Sequence, residues 1–225
     1  MIISHKHKFI FIHGPKTAGT AIADQLQPIC GDSDLVVQKR TSGLQKHDGS
    51  ERIRDFVGDA IWQNYFKFTF ERNPWDKIFS LYCMQMDPDH WLRDEGGDWT
   101  RVRSDLRRRM YGHRTPSFRK WLLRKNRGLF HSRLPEYLGH LYFVEGPLAV
   151  DFIGRFEELH RDFAKITDRL GMDVRLGTAD RAVRRKTDPD FDPAIPSYRK
   201  HYDEELREVV RRRYQREIEY FGYEF

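Results

Sequence analysis

The sequence predicts an α/β fold: a P-loop-NTPase-like three-layer sandwich with a central parallel sheet of roughly four or five strands and helices on both faces. Two observations predict it. Phe9 to Ile12 is an almost continuous apolar run, as expected of a short strand buried on both faces, and it breaks at Gly14-Pro15 before apolar residues resume at helical spacing at Ala18, Ile22, Leu26 and Ile29. Tyr65 to Phe70 is a second such run, and Glu71-Arg72-Asn73-Pro74 follows it, with Asn73 suited to a helix N-cap and Pro74 to the first helical position.

The first of these corners carries the chemistry. Strand, tight loop and helix bring loop amides and a helix N-terminus together on an anion. Gly14 and Gly19 have the spacing of the Walker A pattern, but Thr20-Ala21 stand where that pattern has Lys and Ser or Thr. The loop's lysine, Lys16, lies inside it instead. Such a loop cradles phosphate-like oxygens without the usual magnesium-holding hydroxyl, which argues against an ordinary kinase or ATPase.

Composition sets wider bounds. The 225 residues include 16 Phe, 10 Tyr and 5 Trp, enough aromatic surface to argue against disorder although 33% of residues are charged. Net charge is +6, which favours acidic partners: a polyanionic cofactor, an anionic glycan, nucleic acid or a membrane surface. Cys30 and Cys83 have no metal or redox spacing. With no apolar run near the roughly 20 residues of a membrane span and no room for a signal peptide before the first strand, the expected location is cytoplasmic.

Along the chain, Leu35 to Val37 reads as a short strand, and His47-Asp48-Gly49-Ser50 as a turn with a helix cap. The stripe behind that cap is Ile53, Phe56, Val57, Ala60 and Ile61. The helix opened by Pro74 continues through Ile78, Leu81, Tyr82 and Gln85. Residues 87–115 lose periodicity and are expected to be an insertion or acceptor-side segment within a single domain spanning 1–225. A helix after Thr115-Pro116 turns Phe118, Trp121 and Leu122 inward. Strands are expected at Leu141–Val144 and Asp151–Phe156. An amphipathic helix over 157–170 is stopped by Gly171, a charged loop covers 177–197, and a terminal helix starts near Asp203. His5 and His7 lack a third ligand at useful spacing, so no metal site is expected, and both are read as solvent-exposed.

The second corner adds Arg72 and, two helical turns later, Ser80. Both can reach one anion beside the helix start, a guanidinium offering a planar fork and a hydroxyl a further donor. At this point the resemblance becomes specific. His13-Gly-Pro-Lys-Thr-Ala-Gly-Thr20 resembles the 5′-phosphosulfate loop of the sulfotransferases, and Phe70-Glu-Arg-Asn-Pro-Trp-Asp-Lys-Ile-Phe-Ser80 resembles their 3′-phosphate motif, including the eight-residue step from Arg to Ser. Asp151 to Leu159 and the tail from Tyr198 are also similar. The match is to the carbohydrate-type branch, especially its short bacterial members; Glu71 departs from the apolar residue usual there.

The resemblance implies 3′-phosphoadenosine 5′-phosphosulfate (PAPS) as sulfuryl donor and a hydroxyl, on a carbohydrate or glycoconjugate, as acceptor. Transfer is in-line and needs no metal. Gly14, Pro15, Lys16, Thr17, Ala18, Gly19 and Thr20 are then the donor loop, with Lys16 catalytic, and Arg72 and Ser80 hold the 3′-phosphate. Arg184, Arg185 and Lys186 fall where relatives return basic residues to that phosphate; a solvated charge run explains them equally well. His47, in a Lys46-His47 pair, is the candidate base. Two alternatives stay open: a P-loop kinase or NTPase, and a non-catalytic basic module binding nucleotide or nucleic acid, although no nucleic-acid motif is present.

Overall fold

The computed structural model describes residues 1–37, 43–86, 116–126, 141–144, 146–177 and 198–225. The expected insertion at 87–115, the loop at 178–197 and with it Arg184, Arg185 and Lys186 lie outside the described residues. The chain divides into two compact units, Met1–Asn73 with Glu136–Ala179, and Pro74–Pro135 with Asp180–Phe225.

The first unit is built on a five-stranded sheet. In chain order its strands are β1 (Ile2–Ser4), β2 (Phe9–Phe11), β3 (Leu35–Val36), β4 (Phe66–Glu71) and β5 (Phe152–Arg155). They lie side by side in the order β3-β1-β2-β4-β5. The centre is parallel, β2 with β4 (Phe11 opposite Phe68) and β4 with β5 (Phe70 opposite Gly154). β1 runs antiparallel to both β2 and β3, so the sheet is mixed on that side. Three apolar residues before a His-Lys-His-Lys turn are too short a pattern to announce β1. One carboxylate ties the turn down: Asp34 accepts from the Ser4 hydroxyl and from the amides of His5, Lys6 and Gly31 at 2.6–3.1 Å.

α1 (Gly19–Leu26) and, later in the chain, a helix over Leu159–Arg169 cover one sheet face. Ile22, Ala23 and Leu26 from α1, and Leu159, Phe163 and Ile166 from the later helix, pack with Phe9, Phe11, Phe68 and Phe70 in one buried cluster. Each large apolar side chain buried there stabilises the fold by about 1.5–3 kcal/mol.

α2 (Ser50–Val57) and α3 (Asp59–Asn64) correct the expected single helical stripe. Gly58, at φ +79°, ends α2, and α3 starts from it with a new phase. Spacing counted across the break therefore fails: Ile53 and Trp62 are buried, whereas Phe56 and Ala60 are exposed. The strand expected at Leu141–Val144 is also corrected. Only one bridge, Phe143 with Leu148, forms around a reversal at Gly146-Pro147, and Tyr142 is turned inward and fully buried. His5 and His7 are half-buried rather than solvent-exposed, with His5 Nδ1 2.7 Å from the Tyr65 hydroxyl and His7 Nε2 3.1 Å from the Ile29 carbonyl.

The second unit is helical. It contains α4 (Pro74–Met86) and α5 (Phe118–Asn126) and, beyond the first unit's Leu159–Arg169 (α6 in chain order), α7 (Glu204–Arg213) and α8 (Gln215–Phe221). Phe118 meets Phe79, Tyr82 and Trp121 edge-on or stacked, with ring centroids 5.3–6.0 Å apart. The buried polar edges of the aromatics find partners: Trp75 donates to the Arg207 carbonyl, Tyr82 to that of Pro116 and Trp121 to Gln85. Asp203 caps α7 by accepting the Leu206 amide at 2.9 Å.

Candidate active site

The loop between β2 and α1 is shaped by its own backbone. Lys16 and Ala18 both have left-handed φ, 63° and 64°, in a stretch where no glycine relieves the strain. Alternating backbone hands of this kind turn successive amides toward one concavity. The Thr17 hydroxyl donates to the Gly14 carbonyl at 2.9 Å, so this side chain closes the turn and its proton is not available to an anion. α1 then begins with no side-chain cap and no acidic residue in its first turn. Its amides and the positive end of its dipole are thus left for an external negative charge.

Gly19 is required by a close approach. A Cβ there would come within 2.3 Å of the His13 ring, which packs flat against the helix start. His13 is buried, and burial first, then the charges of the terminal amine and Lys46, hold it far below the usual histidine range. It is a neutral spacer. Its carbonyl accepts from His47 Nδ1 at 2.8 Å, and the two rings meet edge-on at 4.9 Å.

That contact sets the tautomer of His47. A carbonyl can only accept, so Nδ1 carries the proton and the neutral ring presents Nε2 as its lone pair. Burial is the main force lowering the His47 pKa; the His13 carbonyl opposes it, while Lys46 and Lys16 add to it. The result is a neutral imidazole with its accepting nitrogen free of the carbonyl, which is what a general base needs.

Lys46 was not singled out beyond its pairing with His47, yet its ammonium lies 3.2 Å from Thr20 Oγ1 at the start of α1. Thr20 accepts there and keeps its own proton to donate. The signal was present, a lysine beside the candidate base, but only the fold shows that it reaches back 26 residues.

Arg72 leaves β4 beside this loop because β2 and β4 are parallel neighbours. Its Nη1 donates to the Lys16 carbonyl at 3.1 Å, and its guanidinium carbon lies 3.9 Å from the centre of the Phe156 ring. Glu157, the next residue, accepts the Asn73 amide at 2.7 Å. Glu71 accepts the Arg72 amide at 2.8 Å and the Tyr142 hydroxyl. The first unit therefore brings together residues 14–20, His47 and Arg72, and adds Lys46, Phe156 and Glu157, which sequence reading did not name as site residues. Ser80 is on the second turn of α4 in the helical unit.

The fold is an α/β sheet with a parallel centre, and at the same strand ends lie a helix start free of acidic residues, a left-handed loop and an arginine held to it, an arrangement suited to an anion. The sequence comparisons give the family. The family model described as "Sulfotransferase family" matches residues 1–224, and the chain belongs to that family. It is also 31% identical over 134 residues, 56% of this chain and 88% of the relative, to an uncharacterised protein of Archaeoglobus fulgidus. No solved structure matches. The expected family is therefore shown, as is the α/β fold, and membership makes the chain a transferase of sulfuryl groups in general. No helix among the described residues is long and apolar enough to cross a membrane.

Proposed function

We propose that this protein transfers a sulfuryl group from PAPS to an acceptor hydroxyl, with carbohydrate as the acceptor class favoured by its sequence resemblance. The observation that supports the reading is the hydrogen bond from Arg72 to the Lys16 carbonyl, which brings Arg72 against the loop of residues 14–20. The cradle fits the donor. Its loop amides, the uncapped α1 start and the two cations suit a nucleotide with separate anionic groups, and no acidic side chain caps the helix end.

When bound, PAPS supplies the sulfuryl group. His47 takes the acceptor's proton at Nε2 as the new S–O bond forms. Lys16 and the amides of residues 17–20 stabilise the charge left on the 5′-phosphate oxygen as the old S–O bond breaks. Positioning and charge stabilisation of this sort account for most of the catalysis in loose, in-line transfers. Arg72 is assigned to the 3′-phosphate, and the eight-residue step of the motif assigns Ser80 with it. A cytoplasmic setting accompanies this reading. The kinase alternative gains no observation, since Thr20-Ala21 follow Gly19.

The test is thermal and kinetic. A ligand binding only the folded state raises its melting temperature. 3′,5′-Adenosine bisphosphate should do so without magnesium, and ATP with magnesium should not. Lys16→Ala should abolish transfer of labelled sulfate from PAPS while the bisphosphate still binds. A stabilising effect of ATP–magnesium alone would overturn the proposal.

A further inference from the structure

Residues 141–150 have no part in the reaction just described, yet two buried side chains tie them to the site. Ser50, the first residue of α2 and three residues beyond His47, does not cap its helix; its hydroxyl donates to the Leu141 carbonyl at 2.5 Å. The Tyr142 hydroxyl donates to one carboxylate oxygen of Glu71, whose other oxygen accepts the Arg72 amide. Ser50, Leu141, Tyr142 and Glu71 are all fully buried.

The segment carrying 141 and 142 is itself anchored. The Ala149 amide donates to the Tyr142 carbonyl at 2.7 Å, and the Val144 amide to that of Pro147 at 3.1 Å. Two residues further on, Asp151 exchanges hydrogen bonds with the start of β4: its amide donates to the Lys67 carbonyl and its carboxylate accepts the Lys67 amide. The reversal thus spans β4 from Lys67 to Glu71 and presents the Leu141 carbonyl to the start of α2. Hydrogen bonds to a buried carboxylate are among the stronger neutral–charged contacts, and a buried hydroxyl that loses its partner cannot turn to water instead.

We propose that Ser50 and Tyr142, acting through Leu141 and Glu71, form a brace that fixes the loop 45–49 against the end of β4, making both of them positioning residues for His47. The proposal rests on the reading of His47 as the base. Within that loop Asp48 accepts the Gln45 amide, Lys46 reaches Thr20 and His47 reaches the His13 carbonyl. Release of the α2 start lets the loop move outward, and the His47 ring exchanges its carbonyl partner for water. The groups facing His47 are neutral His13 and the charges of Lys46, Lys16 and the terminal amine. The substitutions leave these charges in place; loosening relieves burial, the largest cause, and gives up the smaller opposing pull of the His13 carbonyl. Because burial is the larger of the two, loosening raises the His47 pKa toward the ordinary value.

The experiment follows the ¹⁵N signals of the His47 ring through a pH titration of the full chain, together with kcat and the affinity for 3′,5′-adenosine bisphosphate. In Ser50→Ala and Tyr142→Phe the His47 midpoint should rise by about half a pH unit and the Nδ1–H tautomer should become a mixture. kcat should fall about tenfold, and bisphosphate affinity in Ser50→Ala should stay within about twofold of the parent, because the Arg72 guanidinium lies on Phe156 and the Lys16 carbonyl and Tyr142 still holds Glu71 in that variant. Ser50→Thr, which keeps the hydroxyl, should restore the parent titration. An unmoved His47 midpoint and tautomer in both folded variants overturns the brace, as does a loss of bisphosphate affinity matching the loss of kcat. If Tyr142→Phe does not fold, Ser50→Ala and Ser50→Thr decide. The ring titration needs no turnover, so a parent protein that transfers no sulfate would overturn the sulfotransferase reading separately.

Discussion

At the end of β2 the chain shapes its corner with backbone, and at the end of β4 it does so with side chains. The first corner uses left-handed Lys16 and Ala18, a glycine pressed against a ring, and a helix start that no side chain caps. The second uses one guanidinium laid on Phe156 and aimed at the Lys16 carbonyl, with its neighbours Glu71 and Asn73 held by Tyr142 and Glu157. A backbone site is specified by a few adjacent residues and fails all at once when one is wrong. A side-chain site draws on residues some 70 to 85 positions away and weakens by degrees.

The largest effect should come from breaking the first corner. Gly19→Ala puts a Cβ into the His13 ring, so either the ring or the helix start must shift; stability should drop by about 3 kcal/mol, read by urea unfolding, with bisphosphate binding lost. A variant as stable as the parent would mean the ring moves freely. At the second corner, Arg72→Ala should weaken the bisphosphate by about 2 kcal/mol in calorimetry with the fold intact, and Arg72→Lys should recover only part, because an ammonium cannot reproduce the planar fork over Phe156. Full recovery by lysine would reduce this corner to simple charge.

Next comes pH. His13 and His47 are both held neutral by burial, so their folded-state values lie below the ordinary ~6.5. Below that value the unfolded chain binds protons that the folded one refuses. The contribution of these two histidines should therefore be complete above about pH 6.5 and fall as pH drops beneath it, by up to about 1.4 kcal/mol per pH unit for each histidine. His13→Gln should flatten the dependence. The acid limb of kcat should correspondingly lie below pH 6.5, since His47 stays neutral there. The smallest effect is at Ala18. Ala18→Gly removes a left-handed strain of about 1–2 kcal/mol and adds chain entropy to the unfolded state, for a net gain of no more than about 1 kcal/mol.

The same contrast explains what could be read from the sequence. Gly14, Lys16 and Gly19 announce the backbone corner because its chemistry is contiguous, and Arg72-Asn73-Pro74 announces a strand handing over to a helix. Phe156 and Tyr142 carried no such mark, because what makes them matter is a partner far along the chain. Gly58 was legible in principle: a glycine before an acidic residue is a place for a helix to restart, but an apolar stripe of plausible period ran across it. β1 was not, since three residues leave no period to count.

β2 has a paired neighbour on each side, β1 antiparallel and β4 parallel. A strand hydrogen-bonded along both edges cannot slip in register without breaking two ladders together, and the loop it delivers inherits that rigidity. Substitutions that strip Asp34 from the β1–β2 turn, though outside the β2–α1 loop in sequence, would turn a doubly gripped strand into one held mainly from the β4 side. The antiparallel flank is thus a second bearing for the loop that carries Lys16.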